Sequence, residues 1–523
     1  MPHASAPPPA LARPATRVLT ALLLAAAAVM AGRPLAAQPD HRPDPARIER
    51  QLRPAVRLAG RPDTAFDLVD RMRFYHVPGV SIAVVDDFRI VYARGYGVTE
   101  FGGSQRVDTA TLFQAGSISK PVFATGVLAL VDQGRVSLDE DINHYLTSWH
   151  LPESRFTQQE KVTLRRILSH SAGLTVWGFP GYEAGKPVPT VAQLLDGAPP
   201  SNTQAVRNDT TPGARWLYSG GGVTVAQLAV SDVTGEPFPA LMRRLVLDRA
   251  GMRRSTYEQP LPPARAGEAA SGHELPDTPV PGRYHTYPEM AAAGLWTTPA
   301  DLARWAIAVA RSYRGDTGAL LPQATARQML TRQVQVGPPM ANPAVPTWWG
   351  LGLELRGEGD SLLFGHSGRD EGFIADLSMS PVRGRGLIIM INGVNGGLMN
   401  EIRRAFNEEY GIANPRPEKA VVAADPASLA PLVGRYRMVA GRDTITYDVT
   451  MGPGGLTLAN SLTRIATRLW PQGTDTFFSL DNGVSYGFDR GGAGPTAPAS
   501  ALLIGQEPGR RVAPRVDASP GAP

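Results

Sequence analysis

The stretch SISKPVFATGVLALV, Ser117 to Val131, constrains the fold of this 523-residue chain more than any other segment. Read as a helix it is apolar on every face, so it belongs inside a sizeable core. Pro121 limits where that helix begins. Proline is tolerated only in an opening turn, where its missing N–H has no partner anyway, so the helix starts close to Ser117. Positions three apart share a face with Cβ atoms about 5–6 Å apart, which brings the Ser117 hydroxyl within reach of the Lys120 amine. The chain holds only four lysines (Lys120, Lys161, Lys186, Lys419) among 52 basic residues, and no other Ser-x-x-Lys occurs. Taken alone, the spacing fits equally a serine N-cap beside a snorkelling lysine.

A single core seldom grows past about 250–300 residues, so the length calls for more than one domain. The formal charge of +5 includes Arg13, Arg17 and Arg33, which fall in a segment read as an export signal. Without them the chain is nearly neutral and has no basic run, which excludes nucleic acid as an expected partner. In that signal Arg13 and Arg17 form the basic region and Val18–Ala31 the apolar region. Small residues follow, with cleavage after Ala36 or Ala37. The apolar run is shorter than the roughly 20 residues a membrane span needs, so the mature protein is expected in the periplasm or secreted, without stable membrane insertion. There is no cysteine, hence no disulfide framework.

Residues 38–63 form a Pro-rich lead-in. Helical patterns cover about Ile48–Leu58 and Thr64–Tyr75. GVSIAVVDDFRIVYARGYGV (Gly79–Val98) reads as a hairpin turning at Asp86-Asp87, and four short β-rich runs between Trp349 and Val394 read as further strands. In TTPADLARWAIAVARS, Thr298 is the N-cap, Pro299 the first helical residue and Asp301 lies three beyond the cap. The expected class is α/β (α+β), with one antiparallel sheet flanked by helices and a helical lobe over 64–412. A linker over 413–428 leads to a small all-β barrel or sandwich over 429–510, and 511–523 reads as a disordered tail.

Two further landmarks accompany Ser117 and Lys120. Tyr218 precedes a glycine turn, YSGGG, that opens another apolar helix, and His366-Ser367-Gly368 lies on an expected strand within FGHSGRDEGF. In this order the three landmarks resemble the serine β-lactamase and penicillin-binding-protein superfamily, in its class C-like branch of S12 peptidases and esterases. The resemblance covers about Thr64 to Gly411, and the last β-rich region resembles the lipocalin-like module often appended there. It implies that Ser117 is the acylating nucleophile, Lys120 its partner, and Tyr218 the tyrosine of Tyr-x-Asn. It also implies that His366, Ser367 and Gly368 form the substrate-side strand, with the backbone N–H groups of Ser117 and Arg369 as the oxyanion hole.

The chemistry explains why such parts coexist. A serine hydroxyl needs a base. Lysine and tyrosine titrate near 10, so either must fall to near 7 at a cost of about 4 kcal/mol. Charged Lys120 favours tyrosinate while burial favours the neutral amine, so the two share a proton. Two fixed N–H donors contribute about 3–4 kcal/mol each to holding an oxyanion.

Two departures matter: Gly220 stands where the family has asparagine, and His366 where it often has lysine. Both argue against an efficient β-lactamase. The expected function is a hydrolase of a small ester, amide or peptide, without metal or cofactor. β-Lactamase or DD-carboxypeptidase activity, or a slowly acylated sensor, are the alternatives. His170 and His285 read as structural. Trp177, Trp296 and Trp305 read as core, with Trp177 or Trp296 allowed to line the cleft. GHSGR lacks the second glycine of a nucleophile elbow, since Arg369 occupies that place.

Overall fold

Alternation along two central strands sets the architecture. The computed structural model describes residues 43–516 apart from 276, 338–345, 414, 441–442 and 453. The expected export signal and the end of the expected tail lie outside the described residues. Helix α1 (Leu68–Phe74) leads to the hairpin of β1 (Gly79–Asp86) and β2 (Arg89–Gly97). The turn is Asp87-Phe88, one residue later than expected, with both residues at positive φ, as a two-residue hairpin turn of the primed type requires. Helices α2 (Ser119–Asp132), α3 (Gly220–Thr234) and α4 (Pro299–Arg314) follow. Next come β3 (Val334–Gln335), β4 (Trp348–Trp349), β5 (Glu354–Arg356), β6 (Leu363–Asp370), β7 (Phe373–Ser380), β8 (Arg385–Ile391) and α5 (Gly396–Glu409).

These eight strands form one antiparallel sheet in the order β2-β1-β8-β7-β6-β5-β4-β3. On β1, Val80, Ile82 and Val84 face α1 and α5, while Ala83 and Val85 face the core shared with α2, α3 and α4. On β8, Leu387, Ile389 and Ile391 take the first face, Ile388 and Met390 the second. A strand buried on both faces reads as a continuous apolar run, as VSIAVV and GLIIMI do. The expected sheet with flanking helices and a helical lobe is therefore the observed one. Pro121 sits in the first turn of α2, and α4 opens as expected, with Thr298 Oγ1 accepting from Asp301 N at 3.2 Å.

The lead-in differs from its expectation. Pro45–Arg50 is a 3-10 turn, and Arg57–Leu58 is extended, paired in parallel with Glu418–Lys419 of the expected linker. Pro54, inside the expected helix, has no N–H to give it. The second region is an eight-stranded meander running β9 (Gly434–Ala440), β10 (Asp443–Gly452), β11 (Gly455–Asn460), β12 (Ala466–Pro471), β13 (Thr476–Ser479), β14 (Ser485–Asp489), β15 (Ala501–Ile504) and β16 (Arg511–Pro514). It is nearly closed, because Val516 N donates to Arg435 O at 2.8 Å. The expected tail thus begins too early: β16 completes the barrel, and its Ala513 is part of the interior with Tyr436, Phe477 and Phe488.

The barrel meets the hydrophobic layer under the first sheet through Asp481. Its Oδ1 accepts from Arg71 Nη2 at 2.7 Å, and Arg71 grips Glu401 at 2.6 and 2.8 Å, all three nitrogen–oxygen contacts lying at the foot of α1 and α5. Tyr75 adds its phenol to Glu401 at 2.8 Å. Removing one partner of a buried ion pair strands the other charge, which typically costs about 3–5 kcal/mol. Glu401→Ala is accordingly expected to lower unfolding stability by about 3–5 kcal/mol in urea titrations. A much smaller loss in that titration would mean that Arg71 finds other solvation.

Candidate active site

Ser117 lies in a single 3-10 turn, Gly116–Ile118, that runs directly into α2. It is the one partly exposed residue in a run of buried ones from Thr111 to Leu130. Lys120, one helical turn on, is buried; its Nζ lies 2.8 Å from Ser117 Oγ and 2.8 Å from Ala292 O. Burial pulls the Lys120 amine down to about 7, with the Asp370 carboxyl acting the other way. The amine is also 5.0 Å from the centre of the Tyr218 ring.

Burial pushes the Tyr218 phenol above the ordinary range, with the nearby Ser117 hydroxyl acting the other way. Of the two basic groups beside Ser117, the amine is therefore the one that changes protonation near neutral pH. The three glycines after Tyr218 are the opening turn of α3 rather than a turn before it. Ser219 is the N-cap, its Oγ accepting from Gly222 N at 2.8 Å. At Gly220 an added Cβ would meet the Phe179 ring at 2.9 Å, which accounts for the absence of a side chain there.

Strand β6 supplies the opposite wall. His366, Gly368 and Asp370 share its buried face, while Ser367 and Arg369 are exposed. A Cβ on Gly368 would fall 1.9 Å from Ala115 O, and one on Gly116 would fall 2.5 Å from Arg369 N. The backbone of β6 thus lies hard against the turn carrying Ser117. The backbones of Ser117 and Arg369 are brought together, whereas the Arg369 guanidinium points away to Glu274, at 3.1 Å. His366 Nδ1 faces the Ser367 carbonyl and so carries the ring proton. Burial, with the nearby Lys120 charge, lowers His366 to about 3, leaving a neutral imidazole whose buried Nε2 has no partner among the described residues.

Several residues at the site were not singled out from the sequence. His170, read as structural, is buried with its ring 4.1 Å from that of Tyr218, and its Nδ1 accepts from Ser219 N at 3.1 Å. Trp349 stands edge-on to both His170 and His366. Asp370 is buried, and its Oδ2 accepts from Gly116 N at 3.2 Å. Its place two residues after Gly368 on one strand face was the available signal. Glu289 is fully buried at the start of the turn whose Ala292 carbonyl holds Lys120, and neither of its oxygens has a partner among the described residues. Burial raises it to about 8. Trp296 and Trp305 are core, as expected, but Trp177 is 62% exposed beside Tyr218.

The family model described as Beta-lactamase matches residues 66–410. Penicillin-binding protein 4 of Amycolatopsis lactamdurans is 26% identical over 378 residues, covering 70% of this chain and 95% of that protein. Esterase EstB of Burkholderia gladioli is 29% identical over 207 residues, covering 38% of this chain and 51%, about half, of the esterase. Among solved structures, the octameric penicillin-binding protein homologue from Pyrococcus abyssi shares the fold. It aligns with a TM-score of 0.57 at 21% identity, over 85% of this chain and 98% of that one.

The lowered amine gives a direct measurement. In a protein labelled at lysine Cε, one of the four lysine signals is expected to titrate with a midpoint near 7 and to vanish in Lys120→Arg. A Lys120 midpoint close to 10 would refute the burial argument.

Proposed function

The chain belongs to the Beta-lactamase family of serine hydrolases, and from that premise we propose that it is an exported enzyme cleaving an ester or amide through an acyl-enzyme on Ser117. The observation that carries the reading is the 2.8 Å contact between Ser117 Oγ and a buried Lys120 amine that burial lowers to about 7. In the first half-reaction Ser117 Oγ bonds to the substrate carbonyl carbon and its proton passes to Lys120 Nζ. The tetrahedral oxyanion is held by the N–H groups of Ser117 and Arg369. Its collapse breaks the bond to the leaving group, which takes a proton from Lys120 through the Tyr218 phenol. Water then attacks the acyl carbon and gives a proton to the same amine; the bond between that carbon and Ser117 Oγ breaks as the amine returns the proton to Oγ, which releases the acid and restores both groups. His366 and Ser367 orient the substrate along β6.

The match to an esterase and the lack of a fixed cation at His366 favour esters or simple amides over β-lactams. A second reading, a penicillin-binding sensor that acylates and stays acylated, is favoured by the match to penicillin-binding protein 4 and by the glycine at 220. Export rests on the N-terminal sequence alone; a mature N-terminus following Ala36 or Ala37 is its test.

Fluorophosphonate labelling with turnover of a p-nitrophenyl ester separates the readings. The enzyme is expected to label at Ser117 and turn over, and Ser117→Ala to lose both, with kcat/KM falling about a thousandfold or more. Stoichiometric labelling without turnover would favour the sensor; turnover surviving in Ser117→Ala would end the proposal. Because the neutral amine is the base, kcat/KM should rise with pH through a midpoint near 7. A rate flat between pH 6 and 8 would exclude Lys120 from that role. Gly368→Ala, whose methyl would collide with Ala115 O, is expected to slow labelling about a hundredfold or more by displacing one oxyanion donor.

A further inference from the structure

The cleft wall beside Tyr218 is the segment Thr175–Phe179, and three of its carbonyls are engaged. Thr175 O accepts from Ser219 Oγ at 2.7 Å. Val176 O and Trp177 O accept from Gly221 N and Gly220 N at 3.0 and 3.1 Å. With Gly222 N held by Ser219 Oγ, the first three N–H groups of α3 are taken up by the wall and the cap.

What the wall does present is ring surface. Val176, a β-branched residue, sits at φ +65°, a strained conformation that recurs at ligand sites. The following residue, Trp177, stands largely in solvent with its ring 5.1 Å from that of Tyr218. The Phe179 ring lies over Gly220, where an added Cβ would meet it at 2.9 Å, so a side chain there would require the ring to move. A lone exposed apolar residue is ordinary on a protein surface. Here the exposed indole lies against the Tyr218 ring, and the Phe179 ring covers Gly220 two residues further on. The other side of the cleft, at Ser367 and Arg369, is polar and exposed. Of the two parts of a substrate, the acyl group stays attached through both half-reactions. It is the part that gains from a preformed wall.

We propose that Trp177 and Phe179 form an apolar subsite for the acyl group, and that the preferred substrates are esters or amides of aryl-substituted acids rather than of short or polar ones. The inference rests on acylation at Ser117 for its meaning, but its test need not. With p-nitrophenol as the fixed leaving group, the phenylacetyl ester is expected to exceed the acetyl ester in kcat/KM. Trp177→Ala should lower that ratio about tenfold, and Trp177→Phe should retain most of it. In parallel, calorimetry on Ser117→Ala is expected to show phenylacetamide binding that weakens about tenfold when Trp177→Ala is added. Because Trp177 is exposed, both variants should melt with the parent protein. A ratio unchanged within twofold, or phenylacetamide binding unaffected by Trp177→Ala, would overturn the subsite. If no ester is turned over at all, the hydrolase reading falls, and the calorimetry alone decides the inference.

Discussion

The site depends on a backbone contact. Strand β6 crosses the turn before α2 so closely that Gly116 and Gly368 are each required where the two chains touch. Gly116 is also at φ +51°, where a side chain would be strained as well as crowded. Asp370 reinforces the contact by accepting the Gly116 N–H. Two backbones at this distance are set by the sheet and by the buried helix, not by mobile side chains. The relation of Ser117 to Arg369 is therefore as rigid as the core itself. That rigidity is what electrostatic stabilisation of a developing oxyanion needs.

Behind that contact, burial rather than opposite charge governs the ionisable groups. Lys120, His170 and His366 are all lowered by desolvation, and Asp370 and Glu289 are raised by it. Each is pushed toward its neutral form, so the interior avoids the cost of several kcal/mol that an unpaired buried ion carries. Lys120 touches the Ser117 hydroxyl, and its amine changes protonation near neutral pH, as the Glu289 carboxyl does about one pH unit higher. Tyr218 is held protonated by burial, so the amine rather than a shared Lys–Tyr proton is the titrating group beside Ser117.

Much of the fold was legible because burial leaves marks in the sequence. Both faces of β1 and β8 are apolar, α2 is apolar all round, and α4 carries its cap and proline. The pairing of Ser117 with Lys120 followed from Pro121 and helical spacing. The lead-in differs because the apolar residues Ile48 and Leu52 are buried by packing on the sheet face that α1 and α5 cover rather than by helix formation. Glu289 was missed for a different reason: an isolated acidic residue looks like surface, and only three-dimensional packing reveals that it is sealed, whereas the strand alternation of β6 already places Asp370 on the buried face of His366 and Gly368. Of the two tryptophans allowed to line the cleft, Trp177 is the exposed one and Trp296 is core, a choice that residue type alone does not make.

The attachment of the barrel follows the same hierarchy of burial over exposure. Two of the contacts that tie it to the hydrolase region among the described residues differ in burial. Near the hairpin His273–Leu275 and Thr278–Pro279, Arg464 reaches Asp277 at 3.0 Å, but both side chains are about half exposed. An ion pair of that kind contributes about 0–1 kcal/mol and weakens with salt. At the other point, Asp481 bonds buried Arg71, the Asp481 and Leu480 carbonyls accept from Ala55 and Val56 N–H, and Ile465 packs on the core beneath β1. Desolvated, mutually satisfied groups of this sort outweigh the exposed pair by severalfold. The barrel is thus held by the face of the sheet opposite Ser117.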